Sequence, residues 1–169
     1  GTLVGVQLAS SGYPVSFLVR PQIAERLKLQ GLTLWNNNDS LLLRKPSLTT
    51  NLAHTLSTQT IDVIVLAVKS YDTSNFIAEL AAVDTDVPPI LCLQNGVDNE
   101  GLLTKTFGAD RVLAGTVTTA VSLIRSGEVR VERARGVGIA KGHTISKIVA
   151  QALTVSGFTT HLYRDAQSM

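Results

Sequence analysis

Apolar and polar positions along this chain follow two periods, and the changes between them mark its elements. Leu3, Val4, Leu8 and Ala9 recur at helical spacing before Gly12, which predicts a helix already under way at the first residue. Tyr13 to Arg20 reads as a strand ending in a basic residue, and Pro21 suits the first turn of a helix reaching about Gln30. Leu32 to Trp35 and Leu41 to Leu43 form a β-rich excursion around a turn at Asn36 to Asp39. Two apolar runs then stop abruptly at polar residues: Ile61 to Val68 at Lys69, and Ile90 to Leu93 at Gln94, Asn95 and Gly96. Rich in Val, Ile and Leu without strict alternation, both read as strands buried on both faces of a parallel sheet.

Asp72 or Thr73 can cap a helix whose apolar residues are Phe76, Ile77, Leu80 and Val83, and Pro88-Pro89 leads into the second buried strand. A shorter helix from Asn99 to Phe107 ends at Gly108. Arg111 to Ile124, a Ser126-Gly127 turn, and Glu128 to Ala140 read as a long hairpin, followed by a helix over about Thr144 to Ser156 and a strand from Phe158 to Tyr163. The alternation of strands and helices predicts an α/β fold with a doubly wound, Rossmann-like, mostly parallel sheet. A helix at the very start of such a fold needs a strand before it. The sheet is therefore expected to lack its first strand in this chain, leaving a backbone edge that favours aggregation or edge pairing.

With 169 residues, 44% of them hydrophobic and 17% charged, the chain has the makings of one ordinary core. No apolar stretch is long enough to span a bilayer, and the first residues show no signal-peptide pattern. The lone Cys92 sits in an apolar strand, which excludes an internal disulfide and suits an inert core thiol in a reducing, cytoplasmic setting. A net charge of +2 is small and favours neither nucleic acid nor a membrane surface as partner. Arg130, Arg133 and Arg135 interleave with Glu128 and Glu132 as a solvated face. His54, His143 and His161 are too scattered for a metal site, and no Gly-x-Ser-x-Gly elbow supports nucleophilic hydrolysis.

Ligands of open α/β sheets bind outside the carboxyl ends of the strands, so Lys69 and Asn95 stand where a ligand would sit. A lysine there suits phosphate or carboxylate, or else snorkels from the strand edge. Asn95 offers one acceptor and two donors beside a permissive glycine, or else belongs to a plain turn. Gly1, Gly5 and Gly12 have the spacing of a dinucleotide loop's tail, or else pack a helix closely. Arg20 takes the position where an acidic residue would hold a ribose 2′-hydroxyl; a guanidinium there points to a 2′-phosphate and so to NADP(H), the alternative being a solvated strand end.

Taken in order, Gly1 to Arg20, Val65 to Lys69, Leu93-Gln94-Asn95-Gly96, Gly115-Thr116 to Ala120, and Gly138-Ile139-Ala140 resemble the N-terminal domain of the ketopantoate reductase family. The resemblance covers nearly the whole chain. It implies NADPH-dependent reduction of a 2-keto acid, 2-dehydropantoate, to pantoate on the route to pantothenate and coenzyme A. It places Gly1 at the pyrophosphate, Arg20 near the 2′-phosphate, Lys69 and Asn95 on the cofactor, Asn95 beside the nicotinamide and substrate, and Ala120 and Val121 at a further cofactor contact. Family members usually carry alanine around that last contact, and Val121 departs from this. Residues 1–163 would be the dinucleotide-binding domain, and 164–169 the start of a connection to a helical substrate domain. That second domain would supply the proton-donating lysine, beyond Met169, and a possible homodimer contact. The resemblance thus implies that the chain alone is inactive. Other readings are a different two-domain NAD(P)-dependent dehydrogenase, of opine or glycerol-3-phosphate type, and a non-catalytic nucleotide-binding module.

Overall fold

The computed structural model describes residues 1–83, 86–94 and 99–169. Helix α1 (Thr2–Ser10) leads to β1 (Ser16–Leu18), α2 (Pro21–Gln30), β2 (Leu32–Asn36), β3 (Asp39–Leu43), β4 (Ser47–Thr49) and α3 (Leu52–Thr58). Then follow β5 (Ile64–Leu66), α4 (Thr73–Ala81), β6 (Ile90–Cys92), α5 (Asn99–Phe107), β7 (Val112–Val117), β8 (Ala120–Arg125), β9 (Glu128–Arg133), β10 (Val137–Ala140), α6 (Ser146–Val155) and β11 (Thr160–Tyr163). A five-stranded sheet runs β11-β10-β7-β6-β5, a parallel pair joins β1 to β4, and a four-stranded sheet runs β3-β2-β9-β8. Strands β5, β6 and β7 are mutually parallel, while β10 pairs antiparallel with β7 and parallel with β11, so that β10 and β11 both run against the other three. The expected Rossmann-like α/β architecture is present.

Side chains of successive strand residues point to opposite faces, and the core follows that rule. Leu91, Leu93 and Leu113 join Leu3, Val4 and Val6 of α1 and Val149 and Leu153 of α6 in one apolar cluster. Ile90, Cys92 and Val112, one residue out of step, pack with Leu52, Phe76, Leu80 and Leu103 from α3, α4 and α5. Helices thus cover both faces of β6 and β7. This is why the sequence of β6 is continuously apolar and why every residue of it is buried.

Gly5 lets α1 lie directly on β1. A Cβ at that position would stand 2.3 Å from Phe17 Cε1, so the helix-packing reading accounts for Gly5. Pro21 opens α2 and Gly108 follows α5 with φ 88°, as the sequence suggests.

Four expectations need revision. The strands expected over Tyr13 to Arg20 and Ile61 to Val68 shorten to β1 and β5, because each has a ladder partner on one side only among the described residues. The single hairpin from Arg111 to Ala140 is split between two sheets. Val137 pairs with Val117 in one, Ala120 with Arg133 in the other, and between them Thr119 Oγ1 accepts from the backbone N–H groups of Arg135 and Gly136. Strand β4 and helix α3 have no counterpart in the sequence reading; α3 is capped by Asn51, whose Oδ1 accepts from the His54 N–H at 2.9 Å. Finally, Asp72 is the N-cap residue of α4 by position, but its side chain makes no capping hydrogen bond. Among the described residues no helix is long and apolar enough to cross a membrane.

Candidate functional site

Arg20 is fixed between two elements, closing β1 and serving as the N-cap position of α2 with extended backbone, φ −67° and ψ 139°. Its Nη2 donates to Asp72 Oδ2 at 3.0 Å. Asp72 ends the single 3-10 turn, Ser70–Asp72, that connects β5 to α4, so this ion pair draws the carboxyl end of β1 to the carboxyl end of β5. No strand pairing joins β1 and β5 among the described residues, which makes the pair a bridge between two sheets.

Lys69 opens the same turn, its carbonyl accepting from the Asp72 N–H at 2.9 Å. It is exposed, not enclosed. It nevertheless stands close enough to the start of α1 for its charge to be felt there. Gly1 is the N-cap position of α1, where no side chain caps the helix, no acidic residue occupies the first turn, and a Cβ would meet nothing within 4 Å. Free amide donors, the positive end of a nine-residue helix and a nearby lysine together favour an anion.

The second strand end is held from within. Gln94, directly after Leu93, is buried, and its Nε2 donates to the Val68 carbonyl at 3.0 Å and to Thr73 Oγ1 at 2.7 Å. The Thr73 hydroxyl donates in turn to Asn99 Oδ1 at 3.3 Å, and the Cys92 thiol contacts Gln94 Oε1 at 3.7 Å. Gln94 therefore ties the end of β5 to the end of β6 and to the first turn of α4, and the Thr73 hydroxyl carries the link on to α5. Buried in this way, and flanked by Glu100, the Cys92 thiol is pushed up to about 11. Such a thiol is a poor nucleophile at neutral pH, in keeping with an inert core residue.

Asn95 lies outside the described residues. Ala120 and Val121 are exposed at the start of β8, three residues past the carboxyl end of β7, and so follow the same edge of the parallel strands. A cavity of about 110 Å³ opens there, lined by Leu3 and Gln7 of α1 and by Thr119 and Arg135. Arg130, Arg133 and Arg135 are exposed, as a solvated face requires, and among the described residues no group of His, Cys, Asp and Glu is placed to hold a metal ion.

The sequence profile of the family described as "Ketopantoate reductase PanE/ApbA" matches residues 1–161. The chain belongs to the ketopantoate reductase family. A 2-dehydropantoate 2-reductase of Archaeoglobus fulgidus is 33% identical over 129 residues, 76% of this chain and 40% of that protein. The chain spans about 40% of the length of the curated relatives it matches. Among solved structures, a PanE/ApbA family ketopantoate reductase from Ralstonia eutropha superposes with a TM-score of 0.82 at 22% identity, covering 95% of this chain and 52% of that one. A D-mandelate dehydrogenase bound to NADH and anilino(oxo)acetate superposes with a TM-score of 0.83 at 19% identity, covering 98% and 54%. At these identities the structural likeness establishes the fold.

Of the ketopantoate reductase positions singled out in the sequence, the structure brings Arg20, Lys69 and Gly1 to the carboxyl ends of β1 and β5 and the start of α1. The sequence reading overlooked Asp72 as a partner of Arg20, and the work of Gln94, Thr73 and Asn99. A polar residue ending a fully buried run is a signal for Gln94, since it must find partners there. Nothing local marks Asp72, which lies 52 residues from Arg20.

Proposed function

We propose that this chain is the cofactor-binding part of an NADPH-dependent 2-dehydropantoate reductase. Residues 1–163 would form the dinucleotide-binding domain and residues 164–169 would lead toward a substrate domain. The observation that carries the reading is the placement of three anion-favouring features at one edge of the parallel strands: the uncapped start of α1, Lys69 at the head of the turn after β5, and Arg20, paired to the end of that turn. Membership of the ketopantoate reductase family supports the substrate.

When bound, NADPH supplies the hydride that reduces a ketone carbon. The chain's own part is to bind and orient. Amide donors at the start of α1 would hold the pyrophosphate, Lys69 would add a point charge, and Arg20 would pair with the 2′-phosphate through two parallel N–H groups. Ala120 and Val121 would line the cofactor beyond β7, and Asn95 would stand beside the nicotinamide and the keto acid. The alkoxide formed by hydride transfer needs a proton donor within hydrogen-bond reach, and Lys69, at the phosphate end, is in the wrong place for that. A lysine of the substrate domain would serve.

The test is a fluorescence titration of the full-length protein with NADPH and NADH. Arg20→Asp should weaken NADPH about 10- to 100-fold, the worth of hydrogen bonds to a charged group, with NADH changed far less. Equal losses for both nucleotides would sink the assignment of Arg20 to the 2′-phosphate. Turnover of 2-dehydropantoate, set against dihydroxyacetone phosphate, tests the substrate separately.

A further inference from the structure

An N-cap aspartate ordinarily spends its carboxylate on the amides of the helix it starts, a bond worth about 1 kcal/mol. Asp72 does not. It holds the N-cap position of α4, makes no capping hydrogen bond, and reaches instead to Arg20 at 3.0 Å. The pair is not buried structure either: the Arg20 side chain is 72% exposed and that of Asp72 29%. Among the described residues the Arg20 guanidinium has no other hydrogen bond, so the rest of its donor fork faces solvent.

We propose that Asp72 is a specificity-determining residue that keeps the site open to NADH as well as NADPH, an inference that rests on the reading of Arg20 as the neighbour of the ribose 2′ position. The chemistry of that position has two forms. A 2′-hydroxyl is a donor and is recognised by a carboxylate; a 2′-phosphate is a dianion, recognised by a guanidinium and repelled by a carboxylate. This chain holds one group of each kind, in contact. The carboxylate lowers the positive field that Arg20 offers to a phosphate and must itself be displaced or tolerated when the phosphate binds. With NADH the same carboxylate is an acceptor for the ribose, while Arg20 stays neutralised. The Lys69 carbonyl accepts from the Asp72 N–H, so the backbone turn fixes where the Asp72 side chain starts from.

Asp72→Asn keeps the shape and removes the charge. In equilibrium titrations of the full-length protein it should tighten NADPH and loosen NADH, raising the ratio of the NADH to the NADPH dissociation constant about tenfold. Arg20→Ala should move that ratio the other way. Weaker NADPH binding by Asp72→Asn would show that the carboxylate merely orients Arg20, and an unchanged ratio would show a solvated ion pair only; either result overturns the proposal while leaving the assignment of Arg20 intact. Wild-type protein that binds neither nucleotide would overturn the proposed function and this inference with it. Since water reaches the pair, both variants should unfold as a cooperative transition with a midpoint close to that of the wild type, which separates a binding effect from misfolding.

Discussion

At Arg20 the candidate crevice is rimmed by an ion pair that water reaches, whereas at Gln94 it is underpinned by hydrogen bonds centred on a buried amide. The first joins two sheets across 52 residues of sequence through one contact; the second joins two strand ends and two helix starts through one amide and the threonine hydroxyl it donates to. Charges in water interact weakly and are cheap to change, while unpaired polar groups in a core are costly. The adenosine side of the site is therefore the part that substitution can retune, and the Gln94 side is the part that must be built correctly for the strand ends to have fixed positions at all.

Substituting Gln94 should produce the largest effect and break the comparison most openly. Gln94→Leu keeps approximate volume but strands the Val68 carbonyl and removes the donor that Thr73 accepts. A loss of about 2–4 kcal/mol in urea unfolding is expected, in the range for buried groups left without partners. Thr73→Val should cost less, about 1–2 kcal/mol, because Gln94 retains its bond to Val68. Should both variants unfold with the wild-type midpoint, the network would be incidental to the strand ends.

How far these regions were legible in the sequence depends on whether their causes are local. Pro21, Gly108 and the abrupt ends of the two apolar runs are local signals, and the elements they announce are present. Lys69 and Gln94 could be placed at strand ends for the same reason. The partner of Arg20 could not, since ion pairing between a strand end and a turn 52 residues later is decided by how two βα units pack. The kink that splits the hairpin comes from Thr119 accepting two backbone N–H groups from the opposite arm, a contact no periodicity announces. Helix α3 did carry a signal, the Asn51 cap with Leu52 and Leu56 four apart, but at seven residues it is too short for a periodic pattern to stand out.

Cys92 lies beneath Gln94 and sharpens the buried side of the comparison. Its thiol is raised from 9.0 to about 11, with burial the leading cause. The folded protein therefore holds this proton more tightly than the unfolded chain does. The neutral thiol's contribution to stability is full below about pH 9 and drains away as the pH rises toward 11. Urea midpoints measured across that window should fall more steeply for wild type than for Cys92→Ala. In the folded protein at about pH 8 the thiol should resist a disulfide reagent that labels it fully after denaturation. Rapid labelling of the native protein would place Cys92 at a surface and undo the description of this side as dry.

The exposed side should give the smallest effect on folding, and that smallness is itself the argument. Arg20→Ala removes a pair whose arginine is 72% exposed, and such pairs contribute about 0–1 kcal/mol because water and salt already screen them. Urea unfolding should shift by no more than this, and the shift should vanish at about 1 M salt, where the screening length falls to roughly 3 Å. Because the two sheets are also joined through the apolar cluster that packs Phe17 and Val19 of the first with Val63 and Val65 of the second, the bridge is not needed to hold them together. A loss of several kcal/mol would mean the opposite: that Arg20 and Asp72 fasten the two sheets, leaving neither free to read a ligand.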